Sequence, residues 1–327
     1  MKTEVISAVS HRGEAVQRAV ESLRQGEAVG LPTETVYGLA ADALREEAVL
    51  KIFAAKARPR FDPLIVHLAE PNWVERVATV PDSVREIFDR LQARFWPGPL
   101  TFVLPRRAIV PDVVTAGLDT VAVRVSAHPV FGEIIRAFNG PLAAPSANRF
   151  GRISPTAASH VRDELDGLIP VIVDAGPTGH GLESTIVALR NERIEMLRRG
   201  PVTQEQLADF GDVAVLGTTP HPEAPGQLPM HYAPKTPLLL VDDAATFVSA
   251  PNNRCGLLSW KTKSGDRFAE VRWLSEHQDL NEAATNLFRF LRELDDKNLD
   301  LIVAEKLPDQ GLGAAINDRL LQATARP

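Results

Sequence analysis

From Gly217 to Pro237 the chain loses every apolar repeat and runs through Thr-Thr-Pro-His-Pro-Glu-Ala-Pro-Gly, with further prolines beyond. Proline fixes φ and lacks an N–H, so such a stretch belongs neither in a helix interior nor inside a sheet. It divides the sequence into two folding patterns. Length permits this, because 327 residues exceed the roughly 250 to 300 at which single cores stop growing. The expected boundaries are a first domain over 1–210, a proline-rich linker over 211–236 and a second domain over 237–327.

Before the linker, helical spacing of apolar residues predicts helices over Glu14–Gln25, Glu46–Ala57 and Pro81–Phe95, with further ones near Val130–Phe138 and Thr156–Leu165. Gly26 and Pro59 supply stop signals for the first two. Short β-branched or apolar runs predict strands over Ala28–Leu31, Leu64–Leu68, Leu100–Leu104, Val121–Val125, Val171–Asp174 and Ser184–Leu189. Thr33–Gly38 reads as a polar loop at a strand end, where α/β sheets bind ligands. Trp96–Pro99 reads as a turn. The first domain is therefore a mixed α/β sheet. After the linker, strands are expected over Leu238–Val241, Gly256–Ser259, Val271–Leu274 and Leu301–Ala304, with a long helix over Asn281–Leu294. This alternation implies a small parallel α/β domain.

A hydrophobic fraction of 44% with 24% charged residues fits an ordinary globular chain. A net charge of −6 argues against a protein that coats nucleic acid, since phosphate binding needs clustered Lys and Arg. The sequence shows neither a leader pattern nor an apolar run approaching roughly 20 residues, so the expected location is the cytoplasm, with no membrane partner. Cys255 is the only cysteine and is expected to be a buried, inert thiol. No Walker-type loop, dinucleotide fingerprint, zinc-peptidase helix or nucleophile elbow is present. Phosphate, if bound, must be held another way.

The informative residues are Lys56-Ala57-Arg58-Pro59, then Pro63-Leu64-Ile65-Val66-His67, and much later Ser146-Ala147-Asn148. Added to Pro32-Thr33-Glu34-Thr35-Val36-Tyr37-Gly38, Trp96-Pro97-Gly98-Pro99-Leu100-Thr101, Val121-Ala122-Val123-Arg124 and Glu183-Ser184-Thr185-Ile186-Val187, they closely resemble the YrdC-type L-threonylcarbamoyladenylate synthases. His231-Tyr232-Ala233-Pro234 and the segment Gly311–Leu320 resemble the two-domain branch of that family. Ser126 stands where the family commonly carries proline, Asp62 where it often has Asn, and Ala224–Met230 departs from the usual linker.

The resemblance implies a YrdC-like twisted mixed sheet with flanking helices, followed by a small Rossmann-like α/β domain. It also implies formation of threonylcarbamoyl-AMP and pyrophosphate from L-threonine, bicarbonate or CO2, and ATP, for N6-threonylcarbamoyladenosine modification of tRNA. Every reactant is anionic, so the site needs fixed cations and aimed donors more than covalent participation. By resemblance, Lys56 and Arg58 carry the chemistry. Together with Asp62, Thr120, Ser146, Asn148, Ser154, Arg198 and Tyr232 they would hold ATP, while Mg2+ would arrive with the triphosphate rather than on protein ligands. Thr33 or Thr35, His67, Arg124, Ser184 and the backbone at Ala144 would bind threonine. An aromatic such as Tyr232 in a proline-rich linker has no core to enter unless the linker folds back over a site.

Plainer readings exist for single residues: hydroxyls beside strands often satisfy only local backbone, and His67 fits an apolar strand. Two other functions compete with this one. One is an RNA-binding module, which the acidic composition opposes; tight, salt-steep tRNA binding without adenylate formation would favour it, and weak RNA binding stays open. The other is an ATP-binding paralogue that has lost threonine activation, which intact Lys56, Arg58, Ser146 and Asn148 oppose. The expected downstream partner is a tRNA threonylcarbamoyl transferase.

Overall fold

The computed structural model describes residues 2–190, 193–220, 222–228, 231–262 and 266–325. His221, Pro229 and Met230 of the linker, and the last two residues of the second domain, lie outside the described residues.

The first domain follows the order β1 (Glu4–Ser7), α1 (Arg12–Arg24), β2 (Val29–Leu31), β3 (Gly38–Asp42), α2 (Glu46–Lys56), β4 (Ile65–His67), α3 (Val74–Val77), α4 (Arg85–Phe95) and β5 (Leu100–Pro105). It continues with α5 (Asp112–Thr115), β6 (Thr120–Arg124), α6 (Pro129–Phe138), β7 (Leu142–Ala143), α7 (Ala158–Leu165), β8 (Val171–Asp174), β9 (Thr185–Arg190), β10 (Arg193–Arg198), α8 (Gln204–Ala208) and β11 (Val213–Val215). Its strands form one mixed sheet, β1-β8-β2-β3-β7-β4-β6-β5-β9-β10-β11. Parallel β4–β6 and antiparallel β4–β7 pairing place the ends of β4 and β6 beside the start of β7, with His67 paired to Arg124 and to Leu142. That register positions the site.

The second domain contains β12 (Leu238–Val241), β13 (Cys255–Ser259), β14 (Glu270–Trp273), α9 (Leu280–Asp295), β15 (Leu301–Glu305) and α10 (Gly311–Thr324). Its strands are all parallel in the order β12-β15-β13-β14. Asp279 caps α9 through its side chain, and Ala283, Leu287, Phe288, Leu291 and Leu294 turn one buried face to the sheet. Cys255 is buried, and burial raises its thiol pKa. Among the described residues no helix is long and apolar enough to cross a membrane.

The predicted elements recur with ends shifted by a residue or two, except that the helix expected from Pro81 starts at Arg85 after a 3-10 turn over Asp82–Val84, and several further elements were not legible. Gly38–Asp42 forms β3 although Gly-Leu-Ala-Ala-Asp has no β-branched residue and is buried along most of its length, so it shows no alternation. Helix α10 carries Gly311 and Gly313 in its first turn, which masks its helical period. Val213–Val215, inside the stretch read as linker, extend the sheet by pairing with β10. The two cores also interpenetrate: Val36, Ile153 and Leu182 of the first domain pack with Tyr232 and Phe288 in the apolar cluster of the second.

Candidate functional site

A cavity of about 40 Å³ opens where the loops after β2, α2 and β7 meet strands β4 and β6, the end of β10 and the linker. Ten of the residues expected to bind ligands line it: Thr33, Thr35, Arg58, His67, Arg124, Ala144, Ser146, Ser184, Arg198 and Tyr232. Lys56, Asp62, Asn148 and Ser154 are buried in its surroundings, while Thr120 opens β6 opposite Pro105 and does not line it.

On one side lies the end of α2. Ala57 adopts a left-handed conformation, φ 50°, and turns the chain so that Lys56 and Arg58 both face inward. It is the left-handed cap that ends α2, its amide donating back to Ala54 O. The Lys56 ammonium donates to the carbonyls of Ser146 and Asn148, each at 2.5 Å. Arg58 donates to the carbonyls of Asp62 and Pro63, and its guanidinium lies 2.8 Å from the Asp62 carboxylate. That carboxylate is fully buried, and neither of its oxygens accepts a well-aligned hydrogen bond. Arg198, at the end of β10, donates to the carbonyls of Ser184 and Pro225 and to the Ser184 hydroxyl. Burial, first of all causes, holds Lys56 well below its ordinary pKa and lowers Arg58 and Arg198 as well. Three desolvated basic groups thus lie around the Asp62 carboxylate, an arrangement an incoming polyanion relieves.

The other side is built on β6 and the loop after β2. Three of the five N–H groups of Arg124 have protein acceptors: the carbonyl of Gly98 at 3.1 Å, Thr35 Oγ1 at 3.0 Å and Glu34 Oε1 at 2.6 Å. The Trp96–Pro99 turn, fixed by Trp96 donating to Leu100 O and packing on Phe88 and Phe102, thereby holds this guanidinium in place. Burial raises the Glu34 pKa, but the charge of Arg124 and hydrogen bonds from Ser126, Arg124 and Ala127 outweigh it and bring it down to about 2. The Thr33 hydroxyl serves its own loop, donating to Val36 O and accepting from the amides of Thr35 and Val36. Burial, then the charge of Arg124, lowers the His67 pKa to about 3, so its imidazole is neutral; the ring packs 5.0 Å from Phe131. Ser184 links the two sides, sharing a hydrogen bond with Thr101 and accepting from Arg198.

The linker forms the roof. Pro225, Gly226, His231 and Tyr232 line the cavity, and Tyr232 stacks on Phe288 with the Arg319 guanidinium over its ring. A Cβ at Gly226 would lie 2.7 Å from Arg198 and 2.8 Å from the Tyr232 hydroxyl, so the linker passes between them only as glycine. Burial raises the Tyr232 pKa to about 12, and its hydroxyl has no hydrogen-bond partner among the described residues. The cavity holds roughly three waters by size, far less than a nucleotide needs.

Sequence reasoning missed Glu34, Thr101, Glu183, His231 and Arg319. Glu183 accepts from Ser154 at 2.5 Å and from Arg319 at 2.9 Å, joining the first domain to α10. Glu34 sits within a motif that drew attention only to its threonines. Ser126, a departure from the family pattern, donates to Glu34 at 2.5 Å. Among the described residues no group of three or more His, Cys, Asp or Glu is placed to hold a metal ion.

Comparison with known proteins agrees with this architecture. The Sua5/YciO/YrdC family model, described as telomere recombination, matches residues 21–200, and the model for the threonylcarbamoyl-AMP synthase C-terminal domain matches 202–325. The threonylcarbamoyl-AMP synthase of Bacillus subtilis is 39% identical, covering 98% of this chain and 96% of its own. That of Pyrococcus abyssi is 38% identical over 94% of each chain. The crystal structure of P. abyssi Sua5 complexed with L-threonine superposes with a TM-score of 0.87 at 35% identity, covering 98% of both chains. A P. abyssi Sua5 variant with adjacent His and Tyr replaced by alanine gives the same score at 36% identity, covering 98% of this chain and 96% of that one. Joined to the fold and to the convergence of Lys56, Arg58 and Arg124, these matches establish that the chain belongs to the two-domain threonylcarbamoyl-AMP synthase family.

Proposed function

We propose that the protein condenses L-threonine, bicarbonate or CO2, and MgATP into threonylcarbamoyl-AMP and pyrophosphate, supplying an activated carbamoyl group for tRNA modification. The observation that carries this reading is the convergence on one cavity of a phosphate-type cation set, Arg58 and Arg198 with Lys56 behind them, and a carboxylate-type clamp, Arg124 with Thr35.

In this reading the threonine carboxylate takes the N–H groups that Arg124 leaves uncommitted, and its hydroxyl meets Thr35, Ser184 or the backbone near Ala144. A site built to pair a hydroxyl discriminates against amino acids lacking one, because its own polar groups would be stranded. His67 is neutral and adds no charge beside the amine. The amine captures bicarbonate as a carbamate with loss of water. A carbamate oxygen then attacks the α-phosphorus, the bond to the bridging oxygen breaks, and pyrophosphate leaves with the electron pair. Lys56, Arg58 and Arg198 balance the charge on the phosphates, Ser146, Asn148 and Ser154 help hold them, and Mg2+ travels with the triphosphate as part of the substrate. Asp62 and Thr120 are assigned to the same side by family resemblance. Entry of ATP requires the roof formed by Pro225, Gly226, His231 and Tyr232 to move, with Tyr232 closing on the bound nucleotide.

Incubation with ATP, Mg2+, bicarbonate and each amino acid in turn tests this. Pyrophosphate and an adenylate of threonylcarbamoyl mass are expected with threonine. Their absence, alongside tight salt-dependent tRNA binding, would replace the reading with that of an RNA-binding module.

A further inference from the structure

In the second domain the chain passes from β13 to β14 on one side, then returns through α9 to β15 on the other, so the loops after β13 and β15 diverge. Open α/β sheets bind ligands at such a switch point, outside the carboxyl ends of the strands. A cavity of about 840 Å³ lies there, lined in part by Leu240, Trp260, Lys261, Lys306, Leu307 and Arg199. It lies within the size range of small-molecule sites and shares no lining residue with the catalytic cavity.

The crevice has a fixed frame. Buried Glu305, the last residue of β15, accepts hydrogen bonds from the amides of Ala244, Trp260, Lys261 and Thr262 and from the Ser259 hydroxyl. One carboxylate thereby pins the loops after β12 and β13 to the end of β15. The amide of Gly311 at the start of α10 already donates to Glu205, so affinity for an anion here must rest on side chains, not on the helix end. Lys261 and Lys306 come from the second domain and Arg199 from the first, so the cationic set is complete only when the domains are docked. Lys306 pairs with Asp242 at 2.8 Å, but both are exposed, and such a pair is readily exchanged.

The lining offers three kinds of contact together: an apolar and aromatic wall, a cationic set, and the exposed carboxylates Asp242 and Asp309. A simple anion uses only the second, and an apolar ligand only the first. A nucleotide uses all three, with its base on the wall, its phosphate among the cations and its ribose hydroxyls donating to carboxylates. We propose that this crevice is a second ligand site, for a nucleoside monophosphate, distinct from the catalytic cavity.

Calorimetric titration with AMP as the probe tests this on the full-length protein, on the Lys261→Ala/Lys306→Ala double variant and on Lys56→Met. At least one AMP-binding event is expected to weaken at least ~10-fold in the double variant and to persist in Lys56→Met. Pyrophosphate release without added AMP should match wild type in the double variant. Adenosine and inorganic phosphate should each bind at least ~10-fold more weakly than AMP. The proposal fails if the double variant titrates as wild type, if Lys56→Met alone removes all AMP binding, or if wild type binds no AMP at about 1 mM. Inorganic phosphate binding as tightly as AMP would also overturn it.

Discussion

On the β6 side of the catalytic cavity Arg124 faces a full carboxylate, Glu34, at 2.6 Å, backed by Ser126. On the α2 side Lys56 donates to backbone carbonyls, and the charges of Arg58, Lys56 and Arg198 all bear on the buried Asp62 carboxylate. The first arrangement is nearly neutral and rigid before any ligand arrives, as suits a zwitterion such as an amino acid. The second carries excess positive charge out of water, a cost that only a polyanion offsets. One cavity thus prepares its two ends for ligands of different charge, and selective damage to either end separates them.

The largest effect is expected from Lys56→Met, which removes a buried cation while keeping the stem: threonine-dependent pyrophosphate release should fall by roughly 10³-fold. Threonine affinity, measured by calorimetry, should stay within about threefold. Equal loss of both would erase the division between the ends.

Next, Glu34→Gln should raise KM for threonine by roughly 10- to 100-fold, the worth of a charged hydrogen bond, with little change in kcat at saturation. Its stability has a matching signature. The Glu34 pKa falls from 4.5 unfolded to about 2 folded, so the stabilisation is complete above about pH 4.5 and is lost as pH falls toward 2. It amounts to about 3 kcal/mol at most. Acid unfolding of wild type should show this component and Glu34→Gln should lack it.

A smaller effect concerns protons. Burial depresses the Lys56 pKa in the unliganded site, and a bound triphosphate raises it again. Nucleotide binding should therefore take up protons and weaken as pH rises, visible as a dependence of binding heat on the buffer's ionisation enthalpy. The smallest effect is thermal. Tyr232→Phe removes a buried hydroxyl that has no partner among the described residues and should raise the Tm of the free protein by about 2 °C, corresponding to about 1 kcal/mol.

The grouping of Lys56 and Arg58 at the α2 end was legible in sequence because they stand two residues apart in one motif at a helix end. The β6 end was only half legible. Arg124 stood out, but the partner that neutralises it is 90 residues away and the Ser126 link spans 92, pairings that only the sheet register creates. The two-domain division followed from the prolines, yet nothing in local pattern revealed that Val36, Ile153 and Leu182 would enter the second core. The near-complete closure of the cavity was equally hidden, since it depends on Tyr232 meeting Phe288 and Arg319 from the far end of the chain.

A crystal structure with threonine and a non-hydrolysable ATP analogue bound together tests the central claim most directly. The account predicts the triphosphate between Lys56, Arg58 and Arg198, the threonine carboxylate on Arg124, and Pro225, Gly226, His231 and Tyr232 displaced from their present places in the roof. An analogue bound elsewhere, with Lys56 still held by the carbonyls of Ser146 and Asn148, would contradict it.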